Sequence, residues 1–311
     1  MGRLHDVALA TSNPETARYP KFFTYNLDFQ IDDFSKDVTY HGGFSQQGRK
    51  IVGYGEGAQL GTFLFTYKDK PFITLQAEEF IVTDDRIVTD KAAITINLDS
   101  SGNIYHPQVN INYVIADRTL NALRGDEGVS RSPFVDTYHN MEIKADKVQW
   151  IIDQPKIDMT TIQKDGSVVM YSKNFFREFD YEKLQGLQAY NPLARIKAFC
   201  EKTGKTTFHL SEYVDYLNSK REYVRFQVVV LGDEGYLTID SKTDTVRVNE
   251  KLFNSVNAHM GRTDYDVIFF ESIIEKRANA SINLENYNME LEGVGRFFFS
   301  DSQYVYVIPT E

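Results

Sequence analysis

The side chains best able to do chemistry in this chain are paired carboxylates, six histidines and one glycine-rich stretch. Acid doublets stand at Asp32-Asp33, Glu78-Glu79, Asp84-Asp85 and Asp126-Glu127. Glycoside hydrolysis needs two carboxyl groups roughly 5–10 Å apart across a cleft, whereas neighbours on a strand point to opposite faces. Most of these doublets therefore read as solvated turns. Asp126-Glu127 differs because Gly125 and Gly128 frame it and Arg124 and Arg131 lie close by. Arg124, Asp126, Glu127 and Arg131 are accordingly taken as a candidate functional loop.

His5, His41, His106, His139, His209 and His259 are scattered and form no i, i+4 pair or carboxylate-flanked set of the kind zinc requires. The single cysteine, Cys200, excludes an internal disulfide framework and any multi-cysteine metal site. Gly53-Tyr54-Gly55-Glu56-Gly57-Ala58 resembles a phosphate cradle, but such a cradle must open a helix whose N-terminus faces the phosphate. Here the strand-like Leu60-Gly61-Thr62-Phe63-Leu64-Phe65 follows, and Glu56 would repel an anion. The stretch reads as a turn or bulge. No catalytic, cofactor-binding or metal-binding residue is assigned, and no cofactor is expected.

The elements that would position these groups are mostly strands. Phe23, Tyr25, Leu27, Phe29 and Ile31 alternate with polar neighbours, as do Phe63, Phe65 and Tyr67, then Ile94, Ile96 and Leu98, then Val109, Ile111 and Tyr113. Turn chemistry at Gly42-Gly43, Lys68–Pro71, Asp84-Asp85, Asp99–Asn103 and Asp165-Gly166 separates them. Two phrases, Leu75–Val82 and Ile143–Trp150, share the order apolar, any residue, Ala, acid, any residue, apolar, with a looser copy at Asp90–Ile96. This predicts a strand, a corner tight enough to require alanine, and another strand.

Past residue 175 the pattern changes. Asn191-Pro192 predicts a helix start and Gly204 its end. A second helix is expected from Leu210-Ser211, and a third from about Ser219 to Gly232 with Tyr223, Phe226, Val230 and Leu231 in the core. The alternating runs Gly235–Asp240 and Thr245–Asn249 then flank a polar turn, which reads as a hairpin. Three helices and a hairpin in this order resemble a winged helix. That resemblance makes Lys220, Arg221 and Arg225 the candidate helix surface for nucleic acid, although Glu222 sits among them. The expected organisation is an N-terminal extension over 1–21, a β-rich scaffold over 22–180, a winged-helix-like module with hairpin over 191–262 and a β-rich continuation over 263–311. The fold class expected is mainly β, a solenoid- or jellyroll-like stacked sheet with the α+β module inserted.

Composition narrows the functions. The 311 residues are 42% hydrophobic and carry 44 acids against 34 Lys plus Arg, a formal charge of −10. That balance opposes general polyanion binding, which rests on neutralising phosphates. Aromatic residues reach 14%, with 22 Phe and 19 Tyr beside one Trp. Such strands can stack on sugars or line a lipid groove, but aromatic residues are also favoured strand formers. No run approaches the ~18 apolar residues of a membrane helix. Val7–Ala10 is too short for a signal peptide. Read literally, with Met1 as the true start, the chain is cytoplasmic. The strand pattern Tyr304–Ile308 also fits a piece of a longer exported protein, which would place it in the periplasm or cell envelope.

The Ala77–Val82 and Ala145–Trp150 phrases resemble repeats of the lipopolysaccharide-transport bridge family, the OstA-like β-jellyroll, which implies V-shaped strands stacked around a groove for acyl chains. More broadly, His41–Phe44, Gly48–Gly53, Lys70–Ile73, Ile104–Pro107 and Ser300–Tyr306 are similar to large β-rich envelope proteins of Bacteroidota. That resemblance implies a longer β scaffold and carries no catalytic residues. Three functions follow as expectations: a non-enzymatic envelope scaffold meeting a protein partner or an amphiphile, a winged-helix nucleic-acid binder, and a polysaccharide-active β-helix enzyme.

Overall fold

The computed structural model describes residues 2–5, 20–57, 59–99, 102–164, 166–274, 277–300 and 303–307. The expectations placed on Val7–Ala10, Ala58, Ser100-Ser101, Asp165, Asp301-Ser302 and Ile308–Glu311 lie outside the described residues, as does most of the N-terminal extension. The fold is mainly β, 48% strand against 19% helix, with a large antiparallel sheet. The chain divides into two compact units. The first comprises Met1–Leu123, Lys147–Asp158 and Ser281–Met289, and the second Arg124–Asp146, Met159–Ala280 and Glu290–Glu311.

In the first unit, long strands change partners part-way along. Val38–Gln47 pairs through Val38–His41 with Thr62–Phe65, and through Gly43–Gln47 with Lys50–Tyr54. The switch falls at Gly42-Gly43, where the missing side chains let the strand bend. Arg86–Asn97 repeats the device: Ile87 and Val88 pair with Val82 and Ile81, while Ala93–Ile96 pair with Ile73–Gln76. Asn103–Val114 follows both halves of that strand, with breaks in register between His106 and Ile111. Each bent strand thus serves two antiparallel ladders. Alternation sends Tyr40, Phe63, Phe65, Leu75, Phe80, Ile94 and Ile104 inward, each at most 1% exposed. Their rings meet directly: Phe63–Tyr40 at 4.8 Å, Phe63–Phe80 at 4.9 Å and Phe65–Tyr113 at 5.0 Å between centroids. Burial of such side chains supplies about 1.5–3 kcal/mol each.

The two closer copies form alanine corners as predicted, whereas the looser copy Asp90–Ile96 lies inside the unbroken strand Arg86–Asn97 and makes no corner. Lys70–Ala77 turns into Glu79–Val82 and Met141–Lys144 into Lys147–Ile151, with Ala77 and Ala145 at most 3% exposed. Gly55 N donates to Glu78 O at 2.9 Å at one corner, and Arg124 N donates to Asp146 O at 2.8 Å at the other. The acid after alanine thus offers its carbonyl in the same way twice. The glycine-rich stretch before the first corner is a tight turn. A Cβ on Gly55 would come within 2.3 Å of the Gln59 carbonyl oxygen, and the strand Gly61–Tyr67 follows with no helix between.

The second unit contains a six-stranded antiparallel ladder in the order Phe134–Asp136, Met141–Lys144, Val168–Ser172, Phe269–Ser272, Val294–Phe298, Tyr304–Tyr306. Among its described residues it also holds five α-helices: α1 (Glu178–Gln185), α2 (Pro192–Thr203), α3 (Leu210–Leu217), α4 (Arg221–Asp233) and α5 (Glu250–His259). Asn191 caps α2, its side-chain oxygen accepting from Leu193 N at 2.9 Å, and Gly204 ends it at φ +70°. His209 and Glu212 form a capping box on α3. Thr207–His209, Thr245–Val248 and Leu237–Asp240 make a small antiparallel sheet with Thr245–Val248 in the middle. Leu193, Ile196, Phe199, Tyr213, Val224, Val228, Leu231, Leu252 and Val256 share the core with it. One expectation fails here. Tyr223, Phe226 and Val230, assigned to the core from the sequence, are 46%, 70% and 36% exposed, and Val224 and Val228 take their places.

Candidate functional site

The Arg124–Arg131 loop is a structural brace. Gly128–Arg131 is a short 3₁₀ turn, stabilised by Ser130 Oγ donating to Glu127 O at 2.6 Å and by Gly125 N donating to Ser130 O at 3.0 Å. Arg124 lies along the alanine corner, its guanidinium 3.4 Å from Asp146 Oδ1 and donating to Arg131 O at 3.1 Å. Burial lowers its pKa, which the Asp146 carboxylate opposes. Buried Val129 approaches Gly232 of α4, and Arg131 reaches Asp233 at 3.9 Å. Asp126 and Glu127 are exposed at the tip. The loop thus packs Arg124 against the corner and leaves the Arg131 side chain 61% exposed, and no cluster of three or more His, Cys, Asp or Glu able to hold a metal occurs among the described residues.

Three of the histidines serve local structure. His139 Nδ1 meets the buried Asp136 carboxylate at 2.6 Å, and Asp136 also accepts the Tyr138 and His139 backbone N–H groups. His106 is fully buried and accepts from Gln108 N. His259 stacks on Tyr181 at 4.3 Å and pairs with Glu178. Cys200 is buried in the helical core, and burial pushes its thiol pKa up, away from a reactive thiolate.

The surface of α4 distinguishes the module. Lys220 stands at the N-terminal boundary of α4 without a side-chain capping bond and is exposed. Arg221 and Arg225, one turn apart, both converge on the carboxylate of Asp244 in the hairpin turn, Arg225 at 2.5 Å. The two guanidinium groups therefore arrive with a counter-charge built in. Beside them, Tyr223, Phe226 and Val230 repeat at i, i+3 and i+7 and make an exposed apolar stripe. Gln227 Nε2 donates to Gln188 Oε1 at 3.2 Å and holds the preceding connection against the same flank of the helix. Leu187, next along that connection, is fully exposed. No family model, no curated protein and no solved structure matches the chain. What the module can do is therefore carried by its own surface chemistry.

That surface is apolar and aromatic where a groove-reading helix needs free cations and amides. Asp244→Asn removes the internal counter-ion. The variant is expected to elute from heparin at higher salt than wild type, since it leaves both guanidinium groups without their carboxylate. Identical elution would mean that Asp244 does not restrain the arginines.

Proposed function

We propose that this chain is a non-enzymatic scaffold segment of an exported envelope protein. In this reading a solenoid- or jellyroll-like stack of bent strands carries a winged-helix-like module that docks a protein partner. The observation that carries the docking reading is the exposed Tyr223–Phe226–Val230 stripe on a helix whose arginines are already paired. Aromatic residues on a rigid helix are the usual anchors of protein interfaces.

The helix–strand–helix–helix–strand–strand order of α2, Thr207–His209, α3, α4, Leu237–Asp240 and Thr245–Val248 supports the winged-helix reading. The partner switches of Val38–Gln47 and Arg86–Asn97, with the two matching alanine corners, support the stacked-strand reading. The envelope location rests on the family resemblance alone. Among the partners considered, a protein is favoured over an amphiphile. The inward aromatic rows of the first unit are at most 1% exposed, so they pack on one another rather than lining a groove open to acyl chains. Nucleic acid is disfavoured by the paired arginines and the net charge.

The test places a photo-crosslinking p-benzoylphenylalanine at Phe226 in cells that make the protein naturally. A light-dependent adduct with one protein is expected, lost when Tyr223→Asp is added. Adducts with lipid, or none, would overturn the docking reading. Retention of the purified chain on DNA at low salt, falling steeply as salt rises, would replace it with nucleic-acid binding.

A further inference from the structure

Helices α2 and α3 border a groove of about 330 Å³ lined by Tyr190, Ala194, Arg195, Ala198, Tyr216 and Leu217. Its construction follows from the helical repeat. Ala194, Ala198 and Lys202 lie at i, i+4 and i+8, so they form one row along α2. The first two are methyl groups, which lower the floor and let a foreign backbone approach the helix. Tyr190 and Tyr216, 61% and 36% exposed, are among the lining residues. Each carries a cation on its face: Arg195 stands 5.1 Å from the Tyr190 centroid and Lys202 stands 5.2 Å from that of Tyr216.

Neither Arg195 nor Lys202 has a carboxylate partner among the described residues, in contrast to Arg221 and Arg225 on α4. Stacked on tyrosines, the two side chains are held at the groove with their charge unneutralised. An occupant that fits must bring carboxylates for the cations and a flat or apolar side chain for the space between the rings. Within residues 191–262, eleven Lys plus Arg face nine Asp plus Glu, so the module carries +2 in a chain of net −10. An acidic partner therefore meets attraction at this module and repulsion over the rest of the chain.

We propose that the groove between α2 and α3 binds an acidic peptide segment of the partner, one in which Asp or Glu alternates with an aromatic or leucine side chain. This rests on the protein-docking reading above and specifies which chemistry the partner presents. The apolar side chain seats over Ala194 and Ala198 between the tyrosines, and the flanking carboxylates pair with Arg195 and Lys202.

The probe is a fluorescein-labelled peptide of sequence Glu-Phe-Glu-Leu-Glu, titrated with the full chain at low ionic strength and followed by anisotropy. Saturable binding is expected, at least fivefold weaker for the Gln-Phe-Gln-Leu-Gln peptide and at least fivefold weaker for the Arg195→Glu chain. Ala198→Trp, which fills the groove from an exposed position, should abolish binding with the melting temperature unchanged. Absence of saturable binding, equal binding of the two peptides, or full binding by the Ala198→Trp chain would each overturn the proposal. The Phe226 crosslink separates the two readings. If it still forms in cells carrying Ala198→Trp, the partner docks without the groove and only this inference fails; if it never forms in wild type, the docking reading itself has failed.

Discussion

Lys251→Met is expected to destabilise the helical module by about 3–5 kcal/mol, the cost of leaving one member of a buried ion pair without its partner. Lys251 lies in the first turn of α5 with its side chain 14% exposed. Its Nζ donates to Glu142 Oε2 at 2.6 Å, to the Glu234 carbonyl at 2.8 Å and more weakly to Tyr171 Oη at 3.4 Å, which uses all three ammonium protons. It also sits over the Tyr171 and Tyr236 rings, at 4.8 and 5.1 Å. Glu142 has a companion two residues along its strand, Lys144, whose Nζ donates to Glu234 Oε2 at 2.7 Å. Residues two apart on a strand share a face. One strand face therefore presents an acid and a base to a base and an acid of the helical module, a crossed pair of bridges that fixes both position and orientation. Burial alone would lower the Lys251 pKa, but the Glu142 carboxylate and the two phenols more than offset it, so the group stays charged. An amine that is saturated with acceptors and held protonated is no nucleophile, and the cluster acts as a latch.

Two measurements separate this account from loss of simple packing. Ellipticity at 222 nm reports the helices, and α1 to α5 all belong to the second unit, so its transition should move to lower denaturant in Lys251→Met. The double variant Lys251→Met/Glu142→Leu should recover most of the loss, because exchanging a whole buried pair for apolar side chains is close to neutral. A single variant within 1 kcal/mol of wild type, or a double variant no better than the single, would sink the latch. The same site sets an alkaline limit. Burial raises the pKa of Tyr171 and of Tyr236, so both bind their protons more tightly folded than unfolded. Their contribution to stability is complete below the unfolded phenol value of about 10 and declines as pH rises above it.

That latch was invisible in the sequence, because Glu142, Lys144, Glu234 and Lys251 are up to 109 residues apart and nothing in their local pattern marks them as partners. The legible parts were those with a local physical cause. Period-2 alternation located the strands that carry Phe63 and Phe65, Ile94 and Ile96, and Val109 and Ile111. The run Phe23–Ile31, by contrast, is broken between the strands Lys21–Thr24 and Phe29–Ser35, with Tyr25 and Phe29 59% and 42% exposed. Asn191-Pro192 and Gly204 bounded α2, and the four-residue polar turn gave the hairpin. The alanine corners were legible because a steric demand selects one residue type. Helix α1 was missed because Glu178–Gln185 contains a single buried residue, Tyr181, so tertiary contact rather than an apolar period holds it. Helix α5 was missed because Leu252, Val256 and the small Ser255 and Ala258 make a face too weak to read against the polar background.

The α4 stripe shows a different failure. Tyr223, Val224, Phe226, Val228, Val229, Val230 and Leu231 cover more of the helix circumference than the roughly 100° a single core contact buries. Of these, Tyr223, Phe226, Val230 and Leu231 are expected inside, and only Leu231 is buried. Val224 and Val228 went inside instead, and the two aromatic residues stay 46% and 70% exposed. An apolar arc wider than one core contact was the available signal that part of it would stay exposed.

In the first unit, Phe63→Ala is expected to cost about 3–5 kcal/mol, the range for truncating a fully buried phenylalanine where the walls cannot collapse. Phe63 is at 0% exposure in the strand Gly61–Tyr67, opposite Tyr40 on one side and Leu75 on the other. Its ring touches three others, Tyr40 at 4.8 Å, Phe80 at 4.9 Å and Phe34 at 5.3 Å, the last two edge-on. Two of these neighbours are themselves fixed. Tyr40 Oη donates to Gly43 O at 2.6 Å, and its ring fills the space a side chain on Gly53 would take, where a Cβ would come within 2.7 Å. Phe80 pairs in register with the same Gly53. With ladders on both sides and an anchored tyrosine above, the cavity stays open, and the full transfer and cavity penalties are felt. Trp150, the one tryptophan, lies in this unit and packs against Phe72 at 4.7 Å, so its fluorescence follows the unfolding. Phe63→Leu should lose less than half as much as Phe63→Ala, and Phe44→Ala, at a half-buried position, under 1.5 kcal/mol. A Phe63→Ala loss as small as that of Phe44→Ala would mean the inward row is loosely packed and able to open. The case for a closed scaffold over a lipid-lined groove would then be lost.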